Sequence, residues 1–203
     1  VELEWYPSSP EGLPAPAAVE TLRIGAGAQL FVEDVVGDLY GATGNGAVRM
    51  VSDRPIRVFV RVFNDKTSEP YDGGTFGQGV VGLPSSAPLA RGVLLGLSYQ
   101  SPSHQAGFRT NLGMFNPGPA PVSLTLTARA ADGTPLGETT REVAGHSHLQ
   151  GAVYDLIWSV PQAQRERDHL VVTYEVSGGP LYLYASVVDN VTGDGVLLLP
   201  QTL

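Results

Sequence analysis

The chain has 203 residues, a formal net charge of −8, hydrophobic residues at 42% and charged residues at only 16%, with 25 glycines, 16 prolines and no cysteine. That balance lacks the basic footprint of a nucleic-acid binder and fits an anionic membrane surface poorly. No apolar run has the length to span a bilayer, and without cysteine there is no disulfide, thiolate metal site or cysteine nucleophile. The composition instead suits many short strands joined by tight turns.

The chain opens at Val1 with no initiator Met and no basic-then-apolar leader, the expected appearance of a mature product or an excerpt of a longer protein. Val1, Leu3 and Trp5 alternate with Glu2 and Glu4, a strand with one buried face. Residues 32–40 carry Val35, Val36 and Leu39 at helical spacing and predict one or two turns of helix. A strand is expected around residues 47–51, and after Pro55 another turns Ile56, Val58, Val60 and Val62 inward and Arg57, Phe59 and Arg61 outward. A long acidic loop follows, with Glu69 and Asp72. Residues 77–82 spell G-x-G-x-x-G, but that string holds a dinucleotide only between a strand and a helix N-terminus. Pro84 sits where such a helix would be forming, so a strand entry is predicted.

A boundary near Pro88 divides the chain into residues 1–87 and 88–203. Val93 to Tyr99 is expected to start the second part as a strand pairing with Phe108 to Phe115. Val122, Leu124 and Leu126 then alternate with Ser123, Thr125 and Thr127. Turn-forming runs at 116–119, 131–135 and 177–180 separate strands at the spacing of a sandwich. Residues 152–158 predict a second short helix, at the same relative place as the first. The strand after Pro180 turns Leu181, Leu183, Ala185 and Val187 inward and Tyr182, Tyr184 and Ser186 outward.

These elements occur twice. Pro55 to Asp65 reads over Pro180 to Asn190, Gly79 to Pro84 reads over Gly195 to Pro200, and Val1 to Trp5 repeats the alternation of Val122 to Leu126. The strand before each proline aligns in two registers one residue apart, as a β-bulge in one copy would produce. The Phe108 to Pro117 stretch has no counterpart ahead of Val1. The expected fold is therefore all-β: two tandem antiparallel Ig-like β-sandwich modules, each with at most one or two short helical turns, the first lacking its first strand.

The chemical motifs are near misses. Residues 145–149 almost form the nucleophile elbow G-x-S-x-G around Ser147, but the fifth residue is Leu149 and no α/β pattern supplies a triad. His146 and His148 lie two apart, on one face if extended, too few for a metal site alone, and His104 and His169 are distant in sequence. Asp189, Asn190 and Asp194 gather oxygen ligands in a loop that reads first as a turn and only weakly as a calcium site; Asn190-Val-Thr192 is also a glycosylation sequon. No catalytic residue and no cofactor is expected. Tyr182, Tyr184 and Phe59, beside Arg57 and Arg61, form an outward aromatic set suited to a protein contact or a glycan.

The stretches Phe108-Arg-Thr-Asn-Leu-Gly-Met-Phe-Asn-Pro-Gly118, Asp132-Gly-Thr-Pro-Leu-Gly137, Leu183-Tyr-Ala-Ser-Val-Val-Asp-Asn-Val-Thr-Gly-Asp194 and the closing Leu-Leu-Leu-Pro200 resemble tandem Ig-like β-sandwich repeats of large secreted or cell-surface bacterial proteins. The likeness also takes in residues 74–78 with Leu83-Pro84. It implies a sandwich fold and an extracellular or cell-surface location, and carries over no catalytic residue.

The expected function is that of a non-enzymatic extracellular structural or adhesive protein. A strand donated to the incomplete first module, along Val1, Leu3 and Trp5, would give self-assembly or a filament. Partners would be other copies of the chain or upstream segments of the same protein, and the segment 197–203 is a possible donor. No nucleic acid and no membrane insertion is expected. The alternative is a carbohydrate- or substrate-binding accessory module of a secreted hydrolase, using Tyr182 and Tyr184 or the acidic loop that carries Glu69 and Asp72.

Overall fold

The computed structural model describes residues 1–65, 75–100 and 106–203. Its elements are β1 (Glu2–Pro7), β2 (Ala18–Thr21), α1 (Val35–Tyr40), β3 (Gly46–Val51), β4 (Phe59–Asp65), β5 (Thr75–Val81), β6 (Arg91–Tyr99), β7 (Phe108–Phe115), β8 (Val122–Arg129), β9 (Pro135–Val143), β10 (His148–Ala152), α2 (Val153–Leu156), a 3₁₀ turn (Gln162–Gln164), β11 (Arg167–Ser177), β12 (Tyr182–Asp189) and β13 (Gly195–Leu198). The fold is all-β, with antiparallel ladders throughout its sheets and two short helices.

From β6 onward two four-stranded sheets, ordered β10-β7-β12-β13 and β6-β11-β8-β9, enclose one core. The alternation in β8 is realised directly: Val122, Leu124, Leu126 and Ala128 are buried while the residues between them are not. Leu94 and Leu97 from β6, Leu170, Val172 and Tyr174 from β11, Leu112 and Met114 from β7, and Leu181, Leu183 and Ala185 from β12 complete the same core. Each large side chain so buried contributes on the order of 1.5–3 kcal/mol.

One expected pairing is corrected. β6 pairs with β11, and β7 pairs with β10 and β12, so the first two strands of this half lie in opposite sheets. Both are apolar because both face one core from opposite sides, a pattern that resembles a hairpin in sequence. Thr110 links them across the core, its hydroxyl donating to Ser98 O at 2.6 Å and accepting from Ser98 N at 3.1 Å.

The Asn-Pro-Gly turn after β7 has a specific structural task. Asn116 is fully buried, and its Nδ2 lies 2.9, 3.1 and 3.0 Å from the carbonyl oxygens of Ala120, Val143 and Ala144, while its Oδ1 accepts from Gly118 N at 3.0 Å. One amide thus ties the β7–β8 turn to the end of β9.

The first half repeats part of this plan. Its sheets are β2-β1-β3 and the hairpin β4-β5, the arrangement of β9-β8-β11 and β12-β13. Equating Val1 with Val122 settles the register left open by the sequence: Trp5 faces Val48 and Leu3 faces Met50, as Leu126 faces Tyr174 and Leu124 faces Val176. Both ladders are regular there. The odd residue lies in the turn, Ser52 to Arg54 before Pro55 against Gly178-Gly179 before Pro180, while the bulges of β11 lie in its other pairing, toward β6. The β4-β5 hairpin departs from the string alignment by two residues, because Gly77 rather than Gly79 opposes Phe63, the counterpart of Val188 opposite Gly195. A two-residue slip keeps every side chain on its face.

Among the described residues of the first half, no strand corresponds to β6, β7 or β10. Residues 28–32 stand where β10 would, and they form no strand. β10 exists because β7 lies beside it as a ladder partner; without such a partner Leu30 and Phe31 are 47% and 79% exposed. The predicted helix at 32–40 forms as α1, started by Asp34, whose carboxylate accepts from Val36 N and Gly37 N, and stopped at Gly41 in the left-handed conformation. Tyr40 from α1 stacks on Trp5 with ring centroids 5.8 Å apart.

Candidate functional site

The outward face of β12 is the first place the sequence points to, and the structure covers it. Tyr182 stacks on Phe115 at 6.3 Å and donates to Pro84 O at 3.3 Å. Tyr184 lies across Gly113 of β7, where a Cβ would overlap its ring, and burial pushes its hydroxyl up to about 12. Ser186 is buried and donates to Gln78 Oε1 of β5 at 2.9 Å. These side chains do point away from the sandwich core, as the alternation implies. What sequence periodicity did not carry is that the first half of the chain lies on top of them.

The joint is pinned by a hydrogen-bonded chain. His148, 3% exposed, sits between Ser8 and Tyr184, its Nδ1 2.7 Å from Ser8 Oγ and its Nε2 3.2 Å from Tyr184 Oη. Burial lowers its pKa from 6.5 to about 4, so the imidazole is neutral at neutral pH, with one ring nitrogen donating and the other accepting. Ser147, fully buried, donates from Oγ to Ser9 O at 2.6 Å, and Ser9 N donates to His148 O at 3.1 Å. Tyr6 of β1 packs against Phe115 at 5.1 Å and His146 at 5.5 Å. This cluster joins residues 140 apart in the chain, beyond the reach of any local motif.

The near-miss motifs resolve into structure. Ser147, the elbow-like serine, is a buried donor rather than an exposed nucleophile. Ser8 and His148 do form a Ser–His pair, yet the far nitrogen meets a tyrosine hydroxyl where a triad has a carboxylate. The nearby N–H groups of Ser8 and Ser9 are spent on Asn45 O and His148 O. His146, with φ at 50°, turns out of line with His148 and lies with Nδ1 3.3 Å from Leu13 O, so the two imidazoles do not share a face. Among the described residues no group of three or more His, Asp or Glu side chains converges as a metal site. His104, Glu69 and Asp72 lie outside the described residues.

In the 189–194 loop the candidate ligands are committed elsewhere. Asp189 Oδ1 accepts from Thr192 N at 2.7 Å and Val191 N at 2.8 Å, and these bonds hold its carboxyl below the usual range. Asn190 Oδ1 accepts from Arg109 Nη1 at 3.0 Å, and Asp194 Oδ1 accepts from Gly77 N at 3.0 Å. The loop is a side-chain-closed turn that also holds β5.

Val1, Leu3 and Trp5 lie in or beside β1. Leu3 and Trp5 are each 4% exposed, and the Val1 amino group donates to Leu22 O at 2.9 Å. Their strand already has a neighbour on either side, β2 and β3. The open edge lies instead on β4. Its counterpart β12 is flanked by β13 and β7; β4 is flanked by β5, and among the described residues no strand occupies its other side. Phe59 there is 70% exposed, Val62 57%, Phe63 46% and, across the ladder, Val81 51%. Arg57 is exposed beside them, and the Arg61 guanidinium lies 5.1 Å above the Phe63 ring.

The expected donor segment 197–203 is engaged within the chain. Leu197 and Leu198 pair with Ser186 and Ala185, and Gln201 exchanges both backbone hydrogen bonds with Val93 at 2.9 Å. A cavity of about 130 Å³ under Tyr182, lined by Leu83, Leu89, Leu181 and Leu199, has no charged lining and falls well short of the ~300 Å³ of a small-molecule site.

No family model matches the chain, and no curated protein matches it. Among solved structures it is similar to the crystal structure of Thermotoga maritima 1070, with a TM-score of 0.42 and 12% identity over 59% of this chain and 97% of that one.

Proposed function

We propose that the chain is a non-enzymatic structural or adhesive unit of an extracellular or cell-surface protein, and that its first half accepts a β-strand along the free edge of β4. One observation carries this reading. β12 carries β7 on the edge that β4 leaves open among the described residues, which therefore hold both the filled and the unfilled version of one arrangement. A two-stranded hairpin is marginal by itself, and a row of unpaired backbone donors and acceptors beside exposed Phe59 and Val62 is a template for another strand. The tyrosine form of the accessory-module reading needs Tyr182 and Tyr184 as a free platform, and both are held in the joint between the halves.

The test is assembly against concentration, by light scattering and hydrogen exchange on the intact chain and on Phe59→Lys. Assembly that rises with concentration, with protection of β4 amides and loss of both in the variant, supports strand acceptance. A chain that stays monomeric at every concentration, with β4 amides exchanging freely whatever strand is offered, overturns it.

A further inference from the structure

The filled copy of the repeat also says what the missing strand looks like. In β12 the ladder to β7 sets Tyr182 against Phe115, Leu183 against Met114, Tyr184 against Gly113, Ala185 against Leu112 and Ser186 against Asn111. Gly113 is required there, because a Cβ would run into the Tyr184 ring. Carried onto β4 through the equivalence of Pro55 and Pro180, the same ladder positions are Arg57, Val58, Phe59, Val60 and Arg61. Phe59 replaces Tyr184, ring for ring.

With no strand among the described residues at that side, Phe59 leans the other way, over Gly79 of β5, where a Cβ would stand 2.9 Å from its Cζ. It covers a glycine in the adjacent strand, as Tyr184 does, yet stays 70% exposed. Val58 and Val60, half-buried, offer the apolar positions that Leu183 and Ala185 offer to Met114 and Leu112. Tyr182 and Ser186 of β12 become Arg57 and Arg61, two positions either side of Phe59, with the Arg61 guanidinium over the Phe63 ring. An aromatic ring suits the first by cation–π contact, and a carbonyl acceptor suits the second.

We propose that the strand accepted by β4 is a β7-type strand of another repeat module of this kind, with the pattern acceptor–apolar–Gly–apolar–aromatic, and that Phe59 selects it by swinging its ring from Gly79 onto the incoming strand, where only glycine leaves room for it. Asn111-Leu-Gly-Met-Phe115 fits in antiparallel register: Asn against Arg61, Leu against Val60, Gly against Phe59, Met against Val58 and Phe against Arg57. This rests on the strand-acceptor reading above and adds the identity of the occupant.

The probe is a synthetic peptide of residues 107–117 titrated onto the intact chain, with amide exchange of β4 as the locator and fluorescence anisotropy for affinity. The expected result is protection of β4 amides and at least tenfold weaker binding of the Gly113→Val peptide. In the Phe59→Ala chain, whose altered side chain is exposed and not needed for folding, the valine peptide recovers most of that loss. Equal binding of both peptides at β4 overturns the glycine selection while leaving strand acceptance standing. Binding of neither, with β4 amides exchanging freely, overturns both.

Discussion

Acid should loosen the joint between the halves through His148, and the size of the effect follows from its burial. The imidazole ionises at about 4 in the folded chain against 6.5 when free. Because the unfolded state takes up the proton first, the stability held by neutral His148 is fully present above pH 6.5 and is lost as pH falls toward 4. At 1.36 kcal/mol per pH unit this amounts to roughly 3 kcal/mol, a large share of the 5–15 kcal/mol typical of a domain. The physical source is desolvation: an imidazolium would carry a buried charge between the hydroxyls of Ser8 and Tyr184, with no carboxylate on either nitrogen. Urea unfolding at pH 7.5, 6.5, 5.5 and 4.5 on the native chain and on His148→Gln separates this term from the carboxylates, which titrate in both. The stability advantage of the native chain should shrink by about 2.5 kcal/mol across that range, which stops short of the folded pKa. Parallel curves for the two proteins, or an imidazole that titrates near 6.5 by NMR, would refute the reasoning.

Asn116→Ala removes the buried amide that reaches three carbonyls and should cost about 2–3 kcal/mol in urea unfolding at neutral pH, since those oxygens lose that donor. Gly113→Val within the chain should destabilise by at least 1–3 kcal/mol through overlap with Tyr184. Adding Tyr184→Ala should return part of that loss, and a double-mutant cycle with no coupling would show that the two residues do not meet. Phe59→Ala should leave thermal stability within about 0.5 kcal/mol, because the ring is mostly solvated.

Where a signal was local, the sequence carried it. Val122, Leu124 and Leu126 alternate, and the strand they imply has that buried face. Val35, Val36 and Leu39 predict a short helix, and Asp34 and Gly41 bound it. The segments that the sequence aligns take similar ladder places, β1 and β3 like β8 and β11, and β4 and β5 like β12 and β13 with a two-residue slip in the last pair. What escaped were facts about partners. Val93 to Tyr99 and Phe108 to Phe115 are apolar because they face a common core, and nothing in either stretch says that they do so from opposite sheets. His146 and His148 share a face only in a straight strand, whereas the left-handed backbone at His146 turns the chain between them. The pin formed by Ser8, His148 and Tyr184 joins three segments far apart in sequence, so no spacing rule contains it.

Phe59 and Tyr184 make the contrast sharpest. They occupy one position of the repeat, both face away from what would be the sandwich core, and both lie over a glycine of a neighbouring strand. Tyr184 has β7 beside it and the first half of the chain above it, so its hydroxyl is desolvated and bonded to His148. Among the described residues Phe59 has neither, and 70% of it is exposed. The replacement itself is consistent with this difference, because a buried tyrosine needs a partner for its hydroxyl and phenylalanine makes no such demand. Phenylalanine therefore costs least where nothing above the sheet supplies an acceptor, and most of its gain comes from burial. Among the described residues that burial is not reached, so under the proposed strand acceptance the favourable step left to β4 is the arrival of a strand that covers the ring and pairs with its edge.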